Sequence, residues 1–213
     1  MSDEELPKHD SSSAFQYNAF EKWEYKPIIF DVGHPQSWIN FADSFYQASL
    51  ILVKGREGQV FYEDIEGVAA IFLFRHYLEL ALKRIIVRGR CLIRCDVNAA
   101  WEDMKQVSNI HNLQTLWNQV LEDARPKINK QDWENYDIQF VEKCIEEFHR
   151  NDERGFAFRY PRQGAERYRY DFGWFCMAME HVQQILENIT TYLIESHAEN
   201  AEWDAFLQEQ VGF

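Results

Sequence analysis

Proline and glycine are scarce in this chain, five and nine residues in 213, so little in it interrupts helices. Cysteine is scarcer still. Cys91, Cys95, Cys144 and Cys176 follow no framework spacing, which excludes a disulfide scaffold and fits a reducing compartment. Cys91 and Cys95 stand four apart, without the tight Cys-x-x-Cys spacing, so with His76 and His111 they form no zinc motif; no metal and no cofactor is expected. The central apolar run, Gly67 to Phe74, stops at Arg75-His76, short of the ~18 residues of a membrane span. The first residues, MSDEELPKHD, are acidic and polar and do not read as a signal peptide. The expectation is a cytoplasmic protein with no membrane partner. A phosphate loop, a nucleophile elbow and a zinc-hydrolase motif are all missing. Asp171-Phe172-Gly173 matches a kinase tripeptide without the Gly-rich loop, strand lysine or catalytic loop that would give it meaning. Basic excess is missing as well: the net charge of −13 argues against non-specific binding to duplex nucleic acid.

What the chain does have is apolar and aromatic content, 46% and 15%, enough for one domain to bury a core unaided. The stretch GVAAIFLFRHYLELALKRIIV, residues 67–87, is apolar around almost its whole circumference, which puts a soluble helix inside the protein. His76, Glu79 and Lys83, three and four apart, share one stripe of it. Buried without partners they would cost about 1–3 kcal/mol each. They therefore either pair and fix the helix register, or line a polar pocket in which His76 is a general base oriented by Glu79.

The rest of the chain reads as helices around this one. Residues 1–13 are expected to be a disordered tail and 14–36 an extended aromatic arm, with a short strand at 27–31; residues 37–213 form the domain. A helix over 37–54 turns Phe41, Phe45, Ala48 and Leu52 inward, and the central helix runs from Asp64 until Gly89 ends it. A short helix follows around 99–104. Another opens at the His111-Asn112 corner, where a histidine side chain either satisfies the free N–H groups of a helix start or serves as ligand or catalyst. Its Leu113, Leu116, Trp117, Val120 and Leu121 recur at three and four, and Pro126 stops it. One helix over 130–150 uses Trp133, Ile138, Val141, Ile145 and Phe148; a long one spans 171–196, and a short acidic one 199–210. The predicted fold is all-α, an antiparallel helical bundle of five or more helices with an N-terminal extended arm.

Basic residues are segregated. Lys83, Arg84, Arg88, Arg90 and Arg94 fall in residues 83–94 with no acid among them, and Arg150, Arg154, Arg159, Arg162, Arg167 and Arg169 fall in 150–169. These segments hold half of the 22 Lys and Arg residues, enough for a local cationic patch on an acidic body. In the second, the arginines interleave with Phe156, Phe158, Tyr160, Tyr168 and Tyr170. Guanidinium forks take phosphates and rings stack on bases, the combination that holds single-stranded RNA. The plainer alternative is rings that pack the segment down and arginines paired with acids. The candidate nucleic-acid contacts are Arg88, Arg90, Arg150, Arg154, Arg159, Tyr160, Arg162, Arg167 and Arg169.

Three pieces carry a family resemblance. RHYLELALKRII at 75–86 resembles a helix with Glu, two residues, then Leu-Lys; HNLQTLW at 111–117 resembles a His-Asp-Leu corner, with Asn112 for Asp; FRYP at 158–161 resembles the Arg-Tyr-Pro before a last long helix. In that order, over 75–196, they resemble the HEPN domain, an all-α family of prokaryotic ribonuclease toxins and RNA-processing or defence proteins. Its ribonucleases carry an Arg, four to six residues, then a His. No arginine here has a His at that distance; Arg169 precedes His181 by too much. The resemblance therefore implies a homodimer with its groove at the two-fold axis, in a toxin-antitoxin or defence setting, that binds RNA or a nucleotide without the usual catalytic pair. Two other expectations stand beside it. One is a metal-independent endoribonuclease with a relocated histidine, His76 or His149, arginines stabilising the phosphorane. The other is an interaction protein with a protein partner, working through its acidic body and aromatic arm.

Overall fold

The central helix is buried as its composition requires. In the computed structural model it is α2, Glu63–Arg94, and every apolar side chain from Phe74 to Ile86 except Leu80 is buried. The structure describes residues 37–54, 63–94, 97–152 and 171–211, all in the compact unit Gly33–Phe213. The expected tail, arm and 27–31 strand, and the Arg/aromatic residues 153–170, lie outside the described residues. The other helices are α1 Ser37–Lys54, α3 Val97–Ser108, α4 Leu113–Gln119, α5 Lys130–Asn135, α6 Ile138–Asn151 and α7 Phe172–Val211. The fold is all-helical, with no strand among the described residues.

Helix direction departs from an antiparallel bundle. Phe45 meets His76 while Asp43 meets Arg84, so α1 and α2 run oppositely. Phe140 meets Trp174 and Asp137 meets His181, so α6 and α7 also run oppositely. Phe74, however, meets Phe175 and Arg84 meets Glu187, so α2 and α7 lie parallel. The chain between α2 and α7 is long enough to return to the starting end of α2 before α7 begins.

One buried face and several boundaries differ from the sequence expectation, each for a local reason. On α1 the buried positions are Ala42, Tyr46 and Ser49, one residue round from the expected face, because the Ser49 hydroxyl donates to the Ala70 carbonyl at 2.8 Å and so enters the core satisfied. The helix expected over 130–150 is two. Tyr136 is extended, and Asp137 accepts from the Phe140 N–H to open α6, a capping role that Asp prefers over mid-helix positions. Trp133, Val141, Ile145 and Phe148 are buried as expected, and Ile138 is half-buried. After α4 the chain widens into a π segment, Val120–Ala124, then tightens into a 3-10 turn over 125–127 that holds Pro126, a residue with no N–H to donate. The last two expected helices are one, α7, capped by the Asp171 side chain accepting from the Trp174 N–H at 2.9 Å.

Gly89 does not end α2. A Cβ there would stand 2.7 Å from the Ala124 Cα and 2.9 Å from the Asp123 carbonyl oxygen. The glycine lets the π segment press against the helix backbone. Ala at this position gains about 0.5–1 kcal/mol of helix propensity. Overpacking against backbone costs about 1–3 kcal/mol. Gly89→Ala is therefore expected to lower the urea unfolding midpoint, followed by circular dichroism; a raised midpoint would mean that the close approach is not there.

Candidate functional site

The polar line on α2 is Arg75, Glu79 and Lys83, spaced four and four, and all three are buried. His76 is not on it. One residue round the helix, it faces α1, edge-on to Phe45 at 4.4 Å and stacked with Phe72 at 6.3 Å. The pocket expected from His76, Glu79 and Lys83 is thus built with Arg75 in the histidine's place, because the His111 carbonyl and Asp152 stand on Arg75's side of the helix.

Each member has several partners. The Arg75 guanidinium donates to Glu79 Oε2 at 2.7 Å and to the His111 carbonyl, and its Nε lies 3.3 Å from Asp152 Oδ2. Lys83 donates to Glu79 Oε1 at 2.9 Å and to the Ser108 carbonyl at 2.8 Å, where a cation also suits the negative end of α3. Asp152 is buried too, so among the described residues two cations stand beside two carboxylates here. The cluster ties α2 to the 108–111 corner and to the end of α6.

His111 joins from outside. Its Nδ1 is 2.9 Å from Glu79 Oε1, with 57% of the side chain exposed. Burial alone would push the Glu79 carboxyl up. The Lys83 ammonium, with hydrogen bonds from Lys83, Arg75 and His111, outweighs that and holds its pKa below the ordinary 4.5. An ionised Glu79 only accepts, so Nδ1 of His111 donates, and in the neutral ring Nε2 carries the lone pair. The α4 start is capped instead by Asn112, whose side chain accepts from Thr115 N–H at 2.9 Å. His111 is therefore free of the capping duty expected at that corner, and its ring is oriented by a buried carboxylate through Nδ1.

The basic segment 83–94 is largely neutralised. Arg84 is buried between Glu187 of α7 and Asp43 of α1. Arg90 bonds Asp123 at 2.8 Å and approaches Asp103 at 3.8 Å. With Lys83 on Glu79, these are internal ties rather than a patch. Arg88 is half-buried and makes no ion pair among the described residues. His149 is half-buried on α6, its Nδ1 shielded and without a hydrogen bond among the described residues. Arg150 is exposed at the end of α6; Arg154, Arg159, Tyr160, Arg162, Arg167 and Arg169 lie outside the described residues. Sequence reasoning missed Arg75 and Asp152 as partners. The i, i+4, i+8 spacing of Arg75, Glu79 and Lys83 was a readable signal, whereas Asp152 gave none. The chain matches no protein-family model, no curated protein and no solved structure.

Glu79→Gln removes the carboxylate that both buried cations share, leaving Asp152 as the cluster's remaining one among the described residues. The expected cost is about 3–5 kcal/mol in denaturant unfolding at neutral pH. Because the folded-state pKa of Glu79 is depressed, its contribution is complete above the unfolded value and is lost as pH falls through the folded one. The gap between wild type and Glu79→Gln is therefore constant above about pH 4.5 and narrows below it. A gap that widens on acidification would mean that Glu79 is not held ionised.

Proposed function

We propose that the chain is a HEPN-like helical protein that binds single-stranded RNA or a nucleotide through its Arg/aromatic segment, without the family's usual ribonuclease pair. The observation that carries this is the frame from which the segment leaves. Asp152, just before it, is buried on Arg75; Asp171, just after it, caps α7; and Arg150 and Trp174 line one crevice. The arginines interleaved with rings in the intervening sequence suit a backbone-tracking, base-stacking grip. The acidic remainder of the chain disfavours duplex nucleic acid, so single strands are the better match. By the same resemblance the protein works as a homodimer in a toxin-antitoxin or defence setting.

Fluorescence anisotropy with labelled single-stranded RNA tests the reading. Affinity should fall steeply with salt, and Arg159→Ala with Arg162→Ala should reduce the log–log salt slope by about 1.4, roughly 0.7 for each lost phosphate contact. Unchanged affinity and slope in the double variant would reject the segment as the binding surface.

The Glu79–His111 pair favours a second reading, a metal-independent ribonuclease with a relocated base. His111 Nε2 would take the 2′-hydroxyl proton as that oxygen attacks the adjacent phosphorus, and the departing 5′-oxygen would be protonated from water. Cleavage of RNA in EDTA should then be abolished by His111→Ala and survive His76→Ala and His149→Ala. RNA that stays intact with wild-type protein removes this reading.

A further inference from the structure

Where α6 ends beside the start of α7, a cavity of about 260 Å³ is lined by Phe140, Lys143, Glu146, Glu147, Arg150 and Trp174, with the Cys144 thiol also in its wall. One side is aromatic and fixed. The Phe140 and Trp174 rings lie 6.1 Å apart, and Phe140 meets the His181 ring at 5.0 Å. His181 Nε2 is in turn 3.2 Å from Asp137, the residue that caps α6. Trp174, in the wall of the cavity, is nevertheless 48% exposed. Burial pushes the Cys144 thiol up to about 12, so it is neutral and unreactive there.

The charged side is unusual in what it does not do. Lys143 with Glu147, and Glu146 with Arg150, have the i, i+4 spacing at which helical ion pairs form. At that spacing Arg75–Glu79, Glu79–Lys83 and Lys130–Glu134 all close. Neither of the two α6 pairs closes among the described residues, so two cations and two carboxylates border the cavity uncommitted to each other. A lining of that balance suits a ligand with one phosphate, a diol and a flat aromatic part. A triphosphate would press extra negative charge on Glu146 and Glu147. The volume lies just under the usual ligand-pocket range of about 300–1,000 Å³, which limits the crevice to part of a single small ligand, the rest lying outside it.

We propose that this crevice holds a single ribonucleotide unit, a nucleoside 5′-monophosphate either free or as one residue of an RNA strand. The base stacks on Trp174, the phosphate lies between Arg150 and Lys143, and the ribose hydroxyls donate to Glu146 and Glu147. The 2′-hydroxyl is the group by which such a site separates RNA from DNA. The inference rests on the RNA or nucleotide reading above and assigns it a first anchoring point, since Arg150 opens the Arg/aromatic segment.

The test titrates full-length protein with adenosine 5′-monophosphate, its 2′-deoxy analogue and labelled single-stranded RNA, using wild type, Trp174→Ala, Trp174→Phe and Arg150→Ala. Thermal melts check that the exposed substitutions leave folding intact. The ribonucleotide should bind better than the deoxy analogue, and Trp174→Ala should weaken it about tenfold or more, the scale of one lost stack. Trp174→Phe should keep most of the affinity. Equal nucleotide affinity in wild type and Trp174→Ala, or no nucleotide binding by wild type, overturns the proposal. Nucleotide and RNA binding that both persist unchanged in Trp174→Ala and Arg150→Ala overturn the crevice while leaving the segment reading intact. Nucleotide binding that depends on Trp174, with no RNA binding, upholds the crevice for free nucleotides and discards the RNA reading.

Discussion

A carboxylate shut away from water stays ionised only if cations stand close to it, and Glu79 has one on each oxygen. Arg75 holds Oε2 and Lys83 holds Oε1, while Asp152 balances the second cation from the end of α6. Such a cluster adds little net stability over a well-packed apolar core, because desolvating four charges offsets most of their attraction. What it does add is a penalty for every arrangement in which a member loses its partners. Sliding α2 by one residue against the 108–111 corner would strand two cations and a carboxylate. An otherwise greasy helix, free to pack in several registers, is thereby confined to one.

That constraint also decides where function can reside. The chain is strongly acidic, yet Lys83, Arg84 and Arg90 are used inside it, against Glu79, Glu187 and Asp123. Among the described arginines of the two basic segments, Arg88 and Arg150 are the ones left without an ion pair. The same cluster presents His111 at the surface with a fixed proton position. Structural ties and exposed chemistry thus share Glu79, so a substitution made for one purpose is felt in the other.

Much of the architecture was legible from spacing. The α1 limits, the buried face of α4 and the interior position of α2 follow from apolar residues three and four apart, since burial and periodicity have the same cause. The errors arose where one residue type has two uses. Gly89 was read as a stop, but the same lack of a side chain permits the approach of Ala124. Asp137 sits inside a periodic run and breaks it because its side chain caps better than it continues. On α2 the stripe through His76 and the stripe through Arg75 were equally available to spacing alone. Only the location of the 108–111 corner and of Asp152, far away in sequence, chooses between them. His111 was underrated for the same reason: nothing local indicates that Asn112 takes over the cap and leaves the histidine to Glu79.

The central claim, that buried charge balance around Glu79 sets the register, is tested most directly by a double-mutant cycle on Glu79→Leu and Lys83→Met in denaturant unfolding. Each single change removes one charge from the Arg75–Glu79–Lys83 set, whereas the double removes a cation and a carboxylate together and leaves the Arg75–Asp152 contact in place. The account predicts that the double variant is more stable than the sum of the singles allows, by about 2 kcal/mol or more. Additive losses would contradict it.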